Sequence, residues 1–246
     1  MAKKARRPGR PSGPAPSGRR NKAAPAERFP PRKAPKKTTP VVFDAPAPAP
    51  EEPRTFRLGA VEGATPGKWI DAWKQRMPHV PLELLPIALS AQRAAIGELD
   101  AALVRLPLDD DAVHVIRLYD EVPVVVAAVD SHLLAVDELT VDDLAGEVVI
   151  GVVDAPLGPL AFPGTEPARF AALPAAEAIA TAASGVGVVV VPMSIARLHH
   201  RKDVDHRPLA DGPTSTVALA WPRARTTPDV ETFVGIVRGR TANSSR

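Results

Sequence analysis

From Phe56 onward, short apolar runs alternate with amphipathic stretches, joined by turns of only a few residues. No other feature constrains the fold as strongly. A strand–helix–strand–helix–strand series with such short turns implies a parallel α/β sheet, because parallel strands need a crossover between them. "FRLGAV" from Phe56 reads as the first strand, and "ATPGKWIDAWKQRM" opens a helix. Thr65 stands where a cap belongs, Pro66 suits the first turn, and Trp69, Ile70 and Trp73 share one face. Met77-Pro78 ends the helix and "PLELL" is the second strand. Leu89, Ile96 and Leu99 mark a second helix within "LSAQRAAIGELDAALVRLP", with "AALVR" as the third strand.

A second group of elements follows. "VPVVVAAV" and "EVVIGVV" read as buried strands, separated by the short helical "TVDDLAG". "PAAEAIATAAS" is a helix stopped at Gly185, followed by the strand "VGVVVVP". "TVALAW" is the last strand. The final helix, "TPDVETFVGIVRGR", carries the clearest signals: Thr227 as cap, Pro228 at its first position, Asp229 and Glu231 in its first turn, and Arg238 and Arg240 at its far end. Val230, Phe233, Val234 and Val237 give it an apolar stripe for packing.

The first 54 residues differ in kind. They are rich in Pro, Ala, Lys and Arg, show no apolar periodicity, and close on the extended spacer "APAPAPEEP". Such a segment buries too little apolar surface to offset its ordering entropy and is expected to be disordered in isolation. Residues 1–40 hold 13 Lys or Arg against one acid, Glu27, whereas the remainder holds 18 basic against 27 acidic side chains. A basic arm on an acidic body points to a polyanionic partner for the arm alone. With aromatics at only 4%, the core must be built from Val, Leu, Ile and Ala. The chain has no cysteine, which excludes disulfides, thiolate metal sites and a Cys nucleophile. No apolar run reaches the roughly 18 residues of a membrane span, and no apolar segment follows the basic start as in an export signal. A cytoplasmic location is the expectation.

The order of segments resembles the effector-binding domain of LysR-type transcriptional regulators. The resemblance rests on "FRLGAVEGATPGKWIDAWKQRMPHVPLELL", on "GELDAALVRLPLDDDAVHVIRLYDEVPVVVAAVDSHLLA", and on "LTVDDLAGE" and "ASGVGVVVVP" in the expected order, covering residues 56–240. It implies a two-lobed α/β fold of the type 2 periplasmic-binding-protein kind, preceded by the disordered arm of residues 1–54. The domain would span 55–240, with lobe I at 55–124 and 216–240 and lobe II at 125–215, before a tail of 241–246. It also implies an effector in the cleft and pairing as dimers. Two departures bear on function. The family's N-terminal winged helix-turn-helix is absent from residues 1–54, and "GVVDAPLGPLAFPGTEPARFAALPAAEAI" is shorter and richer in proline than the family counterpart, which holds a long helix.

Ligands of open α/β sheets sit beyond the carboxyl ends of strands. That rule selects Thr65, in the turn "EGATPG", Arg105, at the end of "AALVR", and Asp154, after "EVVIGVV". A helix start and an arginine suit a carboxylate, and an aspartate suits a hydroxyl or amine. The bland alternatives are a helix cap for Thr65 and surface pairing for Arg105. In the arm, Gly9-Arg10-Pro11 flanked by Arg6 and Arg7 resembles a minor-groove hook, with Pro8 where the usual core has Arg. The competing reading is sequence-blind phosphate contact by Arg6, Arg7, Arg10, Arg19, Arg20 and their neighbours. His199, His200 and His206 do not make a metal site, since adjacent helical histidines diverge by about 100°. Asp109, Asp110 and Asp111 read as a solvated turn. No nucleophile elbow, phosphate loop or zinc-protease motif is present, so neither an enzyme nor a cofactor is expected.

The leading expectation is thus a regulator-like protein, with a small-molecule effector in the cleft, non-specific DNA contact through the arm, and a homodimer or a heterodimer with a LysR-type relative. The alternative is an interaction module that reads no DNA and modulates such a relative.

Overall fold

A computed structural model describes residues 53–239 of the chain. In chain order the first half holds β1 (Phe56–Val61), α1 (Gly67–Arg76), β2 (Leu82–Ile87), α2 (Gln92–Ile96), β3 (Ala101–Arg105) and β4 (Val113–Glu121). Next come β5 (Pro123–Ala128), β6 (Val148–Val149), β7 (Glu166–Pro167), α3 (Ala175–Ala182), β8 (Val189–Pro192), α4 (Met193–Leu198) and β9 (Val204–Pro208). The chain closes with β10 (Ser215–Pro222) and α5 (Pro228–Val237).

Lobe I is built on a five-stranded sheet in the order β2-β1-β3-β10-β4. β1 pairs in parallel with β2 and β3, as the tight crossovers require, but β10 runs antiparallel to both β3 and β4. The sheet is therefore mixed rather than parallel throughout, because β10 returns from the other lobe instead of arriving through a helical crossover. Lobe II is built on an antiparallel three-stranded sheet, β8-β5-β9, with β6 and β7 forming a separate two-stranded parallel ribbon. The chain crosses between the sheets at Val122 and returns through residues 209–214. Two sheets with separate cores and a double crossover form the type 2 periplasmic-binding-protein architecture.

Each sheet is covered on both faces. On one side of lobe I, Phe56, Trp73 and Phe233 meet with ring centroids 4.5, 5.1 and 5.9 Å apart, bringing together β1, α1 and α5. Such contacts contribute about 0.5–1.5 kcal/mol per pair beyond area burial. Trp73 is fully buried and donates its indole N–H to the Val80 carbonyl at 2.8 Å. On the other side, Ile96 and Leu99 pack against Ala102, Val104, Ala218 and Ala220. In lobe II the valine run of β5 splits by pleat: Val124 and Val126 face the α3 and α4 side, while Val125 and Ala127 face Leu133, Leu139 and Leu144. That two-sided burial explains why β5 lacks apolar–polar alternation.

Several local expectations change. α1 begins at Gly67, with Pro66 in the capping position and no side-chain cap. Thr65 therefore lies one residue too early to cap it. The second helix breaks into a single tight turn at Leu89–Ala91 followed by α2, and Leu99 lies beyond its end. "EVVIGVV" contributes only the two half-buried residues of β6, of which Val149 bridges Val188, and the rest of the stretch makes a single isolated bridge from Val152 to Leu173. α5 forms as its signals imply: the Thr227 hydroxyl accepts from the Val230 N–H, and Pro228 opens the helix.

Candidate functional site

The carboxyl ends of β1, β2 and β3 meet the start of α3 and the loop after β6 across a cavity of about 280 Å³. Lobe I contributes Glu62, Leu89 and Arg105; lobe II contributes Asp154 and Ala175. Two of the three residues selected by the strand-end rule, Arg105 and Asp154, thus line one cleft. Thr65 lines a separate depression of about 690 Å³ with Tyr119, Glu121, Ser194 and Arg197.

Arg105 is 2% exposed, and its environment is built from four elements. Nη1 donates to Glu121 Oε2 at 2.6 Å and to Ser215 Oγ at 2.9 Å. Nη2 donates to the Glu62 carbonyl at 3.1 Å and to Ser194 Oγ at 3.4 Å. Ser194 in turn donates to Glu121 Oε2 at 2.9 Å. Gln92 fixes the Arg105 backbone from the other side, accepting its N–H and donating to its carbonyl, both at 2.9 Å. The charge is thereby neutralised, yet Nε stays buried with no acceptor among the described residues. A buried donor left unmatched costs about 1–3 kcal/mol. Surface pairing is not what Arg105 does.

Contacts made by Ser90, Glu62 and Ser194 tie the lobes across the cleft, with Ser194 bonding both Arg105 and Glu121. Ser90 Oγ donates to Asp154 Oδ2 at 2.9 Å, and the Asp154 backbone sits in the left-handed region at φ 52°. Glu62 Oε1 pairs with His199 Nε2 at 2.7 Å. Arg105 reaches Ser194 as described. Gly63 makes this closure sterically possible: its φ is +83°, and a Cβ there would collide with Ser194 Oγ and Ile195 of lobe II.

Thr65 and Tyr119 line the same depression, on neighbouring parts of lobe I. Burial, then the charge of Glu121, pushes the Tyr119 phenol above its usual value, an effect that Thr65 partly opposes. Thr65 thus lies in this depression beside the crossover rather than capping a helix.

Strand-end reasoning missed Glu121, Ser90, Ser194 and His199. Ser194 could have been found by the same rule, since it follows β8. Glu121 escaped because its strand was not recognised. The three histidines stay apart in role: His199 holds Glu62, and His206 lies in β9 beside Asp205. Among the described residues no group of three His, Cys, Asp or Glu side chains could hold a metal ion. In the acidic turn, Asp110 accepts from the Ala112 N–H and from Arg93, and the first of these chiefly holds its carboxyl below the usual range. Arg6, Arg7, Arg10, Arg19, Arg20 and Arg240 lie outside the described residues.

Comparison with known proteins bears on what such a cleft is for. The family model described as the LysR substrate-binding domain matches residues 50–242. The chain belongs to the LysR substrate-binding domain family. The Hca operon transcriptional activator HcaR of Escherichia coli strain K12 is 27% identical over 208 residues, covering 78% of this chain and 70% of that protein. The reduced OxyR regulatory domain of Pseudomonas aeruginosa superposes with a TM-score of 0.59 at 23% identity, covering 76% of this chain and 98% of that one. The BenM effector-binding domain, solved with its effector benzoate, gives 0.62 at 20% identity, covering 76% and 91%. This LysR substrate-binding domain is accordingly regulator-like, in a family of effector-binding domains rather than of enzymes. No helix among the described residues is long and apolar enough to cross a membrane.

Proposed function

We propose that the cleft between the lobes takes a small polar effector, and that Arg105 is its principal contact. The observation that carries this reading is the buried Arg105 Nε–H, a donor with no acceptor among the described residues. A carboxylate or carbonyl oxygen of the effector satisfies it once the lobes part enough to uncover the buried nitrogen, while a hydroxyl or amine displaces Ser90 from Asp154. The carboxylates of Glu62 and Asp154 on opposite sides of the same cleft favour a molecule that carries both an acceptor and a donor, such as a compact hydroxy or amino acid. BenM, of the same fold, was solved with the small carboxylate benzoate, which supports the acceptor half of this reading. Thr65 belongs to the proposal through the depression it lines with Ser194 and Arg197 of lobe II, which widens when the lobes reopen.

The arm completes the function. Arg6, Arg7, Arg10, Arg19 and Arg20 contact DNA phosphates without reading sequence, because phosphate contacts position a protein while base contacts specify. The domain pairs as a homodimer or with a LysR-type relative, in the cytoplasm.

A second reading has an observation of its own. At about 280 Å³ the cleft lies at the lower edge of ligand-pocket sizes, and side chains of the two lobes already bridge it. That favours an interaction module that binds no effector and modulates a full-length relative. A thermal-shift screen of the whole chain against small hydroxy, amino and simple carboxylic acids separates the two. Effector binding raises the melting temperature with ligand concentration by mass action. A flat response across the panel, together with co-purification of a LysR-type relative, establishes the second reading.

A further inference from the structure

Lobe II holds a second and larger cavity, of about 610 Å³, apart from the cleft. No Asp, Glu, Lys, Arg or His lines it. Its single side-chain hydroxyl, that of Thr165, already donates to the Phe162 carbonyl at 2.8 Å. Leu160, Phe162 and Phe170 form much of the wall, and Phe170, 46% exposed, stands toward solvent.

The cavity persists because the loop over it is pinned to two different cores. Leu157, Leu160 and Phe162 pack against the cluster around Val125 and Leu144. Ala168 and Leu173 pack against the opposite cluster around Val124 and Ile179. Between β6 and α3 this loop contains only the two residues of β7 as regular structure, and Gly158 and Gly164 turn it at φ +73°. With its ends held in separate cores, the loop cannot collapse into the gap without unpacking one of them. Apolar voids far smaller than this bind neutral hydrocarbons rather than water.

The geometry points to a binding site for an uncharged, largely hydrocarbon small molecule, aromatic or short-chain, within lobe II. Charge decides the class. A carboxylate placed here would lose its hydration with no cation and no free hydroxyl donor to replace it. The site also shares a wall with the cleft. Gly151, Val152 and Ala155 line the cavity, while Val153, Asp154 and Pro156 of the same stretch line the cleft. Backbone bonds from Val153 N–H to the Leu173 carbonyl and from Leu173 N–H to the Gly151 carbonyl, at 2.8 and 3.0 Å, tie that wall to the segment leading into α3. An occupant therefore bears on Asp154 without touching it.

Benzyl alcohol and benzoate, one neutral and one charged at nearly equal size, test this on the full chain with labelled alanine methyls observed by NMR. Benzyl alcohol is expected to shift the Ala155, Ala161, Ala168 and Ala172 methyls saturably, and benzoate to leave them in place. In Ala172→Trp and, independently, Ala161→Trp, both at exposed alanines of the wall, binding is expected to weaken by about tenfold or more as the ring fills the space. Saturable shifts centred on Ala88 and Ala176 would place the ligand in the cleft and overturn the proposal. So would equal binding of benzoate, no saturable shift with benzyl alcohol, or methyl shifts that follow protein concentration alone, the mark of a second copy covering the loop.

Discussion

Arg105 is the residue on which stability turns and, in the function proposed above, binding as well. Its charge is stabilised by Glu121 at 2.6 Å, and each partner is less than a tenth exposed. Arg105→Met leaves Glu121 buried without its counter-ion and is expected to cost about 3–5 kcal/mol in denaturant unfolding. Adding Glu121→Leu to that variant should recover most of the loss, since an apolar pair is tolerated where half an ion pair is not. Tyr119 supplies a pH test. Its phenol is raised above the ordinary 10.0 by burial and by Glu121. The folded state therefore holds its proton longer than the unfolded chain does, so this contribution is fully present below pH 10 and is lost as pH rises through the folded value. A stability–pH profile should fall on the alkaline side for that reason, and less steeply in Tyr119→Phe. At this scale the sequence was partly legible. A rule about strand ends found Arg105 and Asp154, but a salt bridge between residues 16 apart, on two strands separated by a third, leaves no local pattern that names Glu121.

At the scale of elements, legibility followed the source of each element's stability. α5 announces itself through cap, proline and dipole, all local, and Thr227→Ala should cost about 1 kcal/mol by thermal or denaturant unfolding. The single turn at Val141–Leu144 carries a capping box in which Asp143 accepts from the Thr140 N–H and hydroxyl, both at 2.7 Å. Those bonds hold the Asp143 carboxyl below its usual 3.8, so their contribution is present above that pH and lost as pH falls through the lower folded value. Strands β4 and β9 were harder to see. "VHVIRLYDE" and "VDHRP" alternate charge with apolar residues and gain their pairing only from β10 and β5, which lie far away in sequence. The start of α1 was misplaced by a residue or two because Pro66 occupies the position a side-chain cap would take.

At the scale of the molecule, closure depends on small residues and short polar bridges between the lobes. Gly63→Ala combines a disfavoured φ with a collision against Ser194, and small-angle scattering should report a larger radius of gyration for it than for the parent. The charge asymmetry bears on partners at the same scale. DNA retardation by the full chain should fall steeply with added salt and vanish when residues 1–54 are removed. The two-lobed plan was read from the order of segments, whereas the antiparallel return of β10 follows from the double crossover, a tertiary event. The central claim is that the unpaired Arg105 Nε–H waits for an effector. Its own nitrogen–proton NMR signal, followed during titration with a molecule that raises the melting temperature, tests that most directly. Formation of a new hydrogen bond should move the signal downfield in step with the stabilisation. A stabilising ligand that leaves this signal where it was would contradict the account.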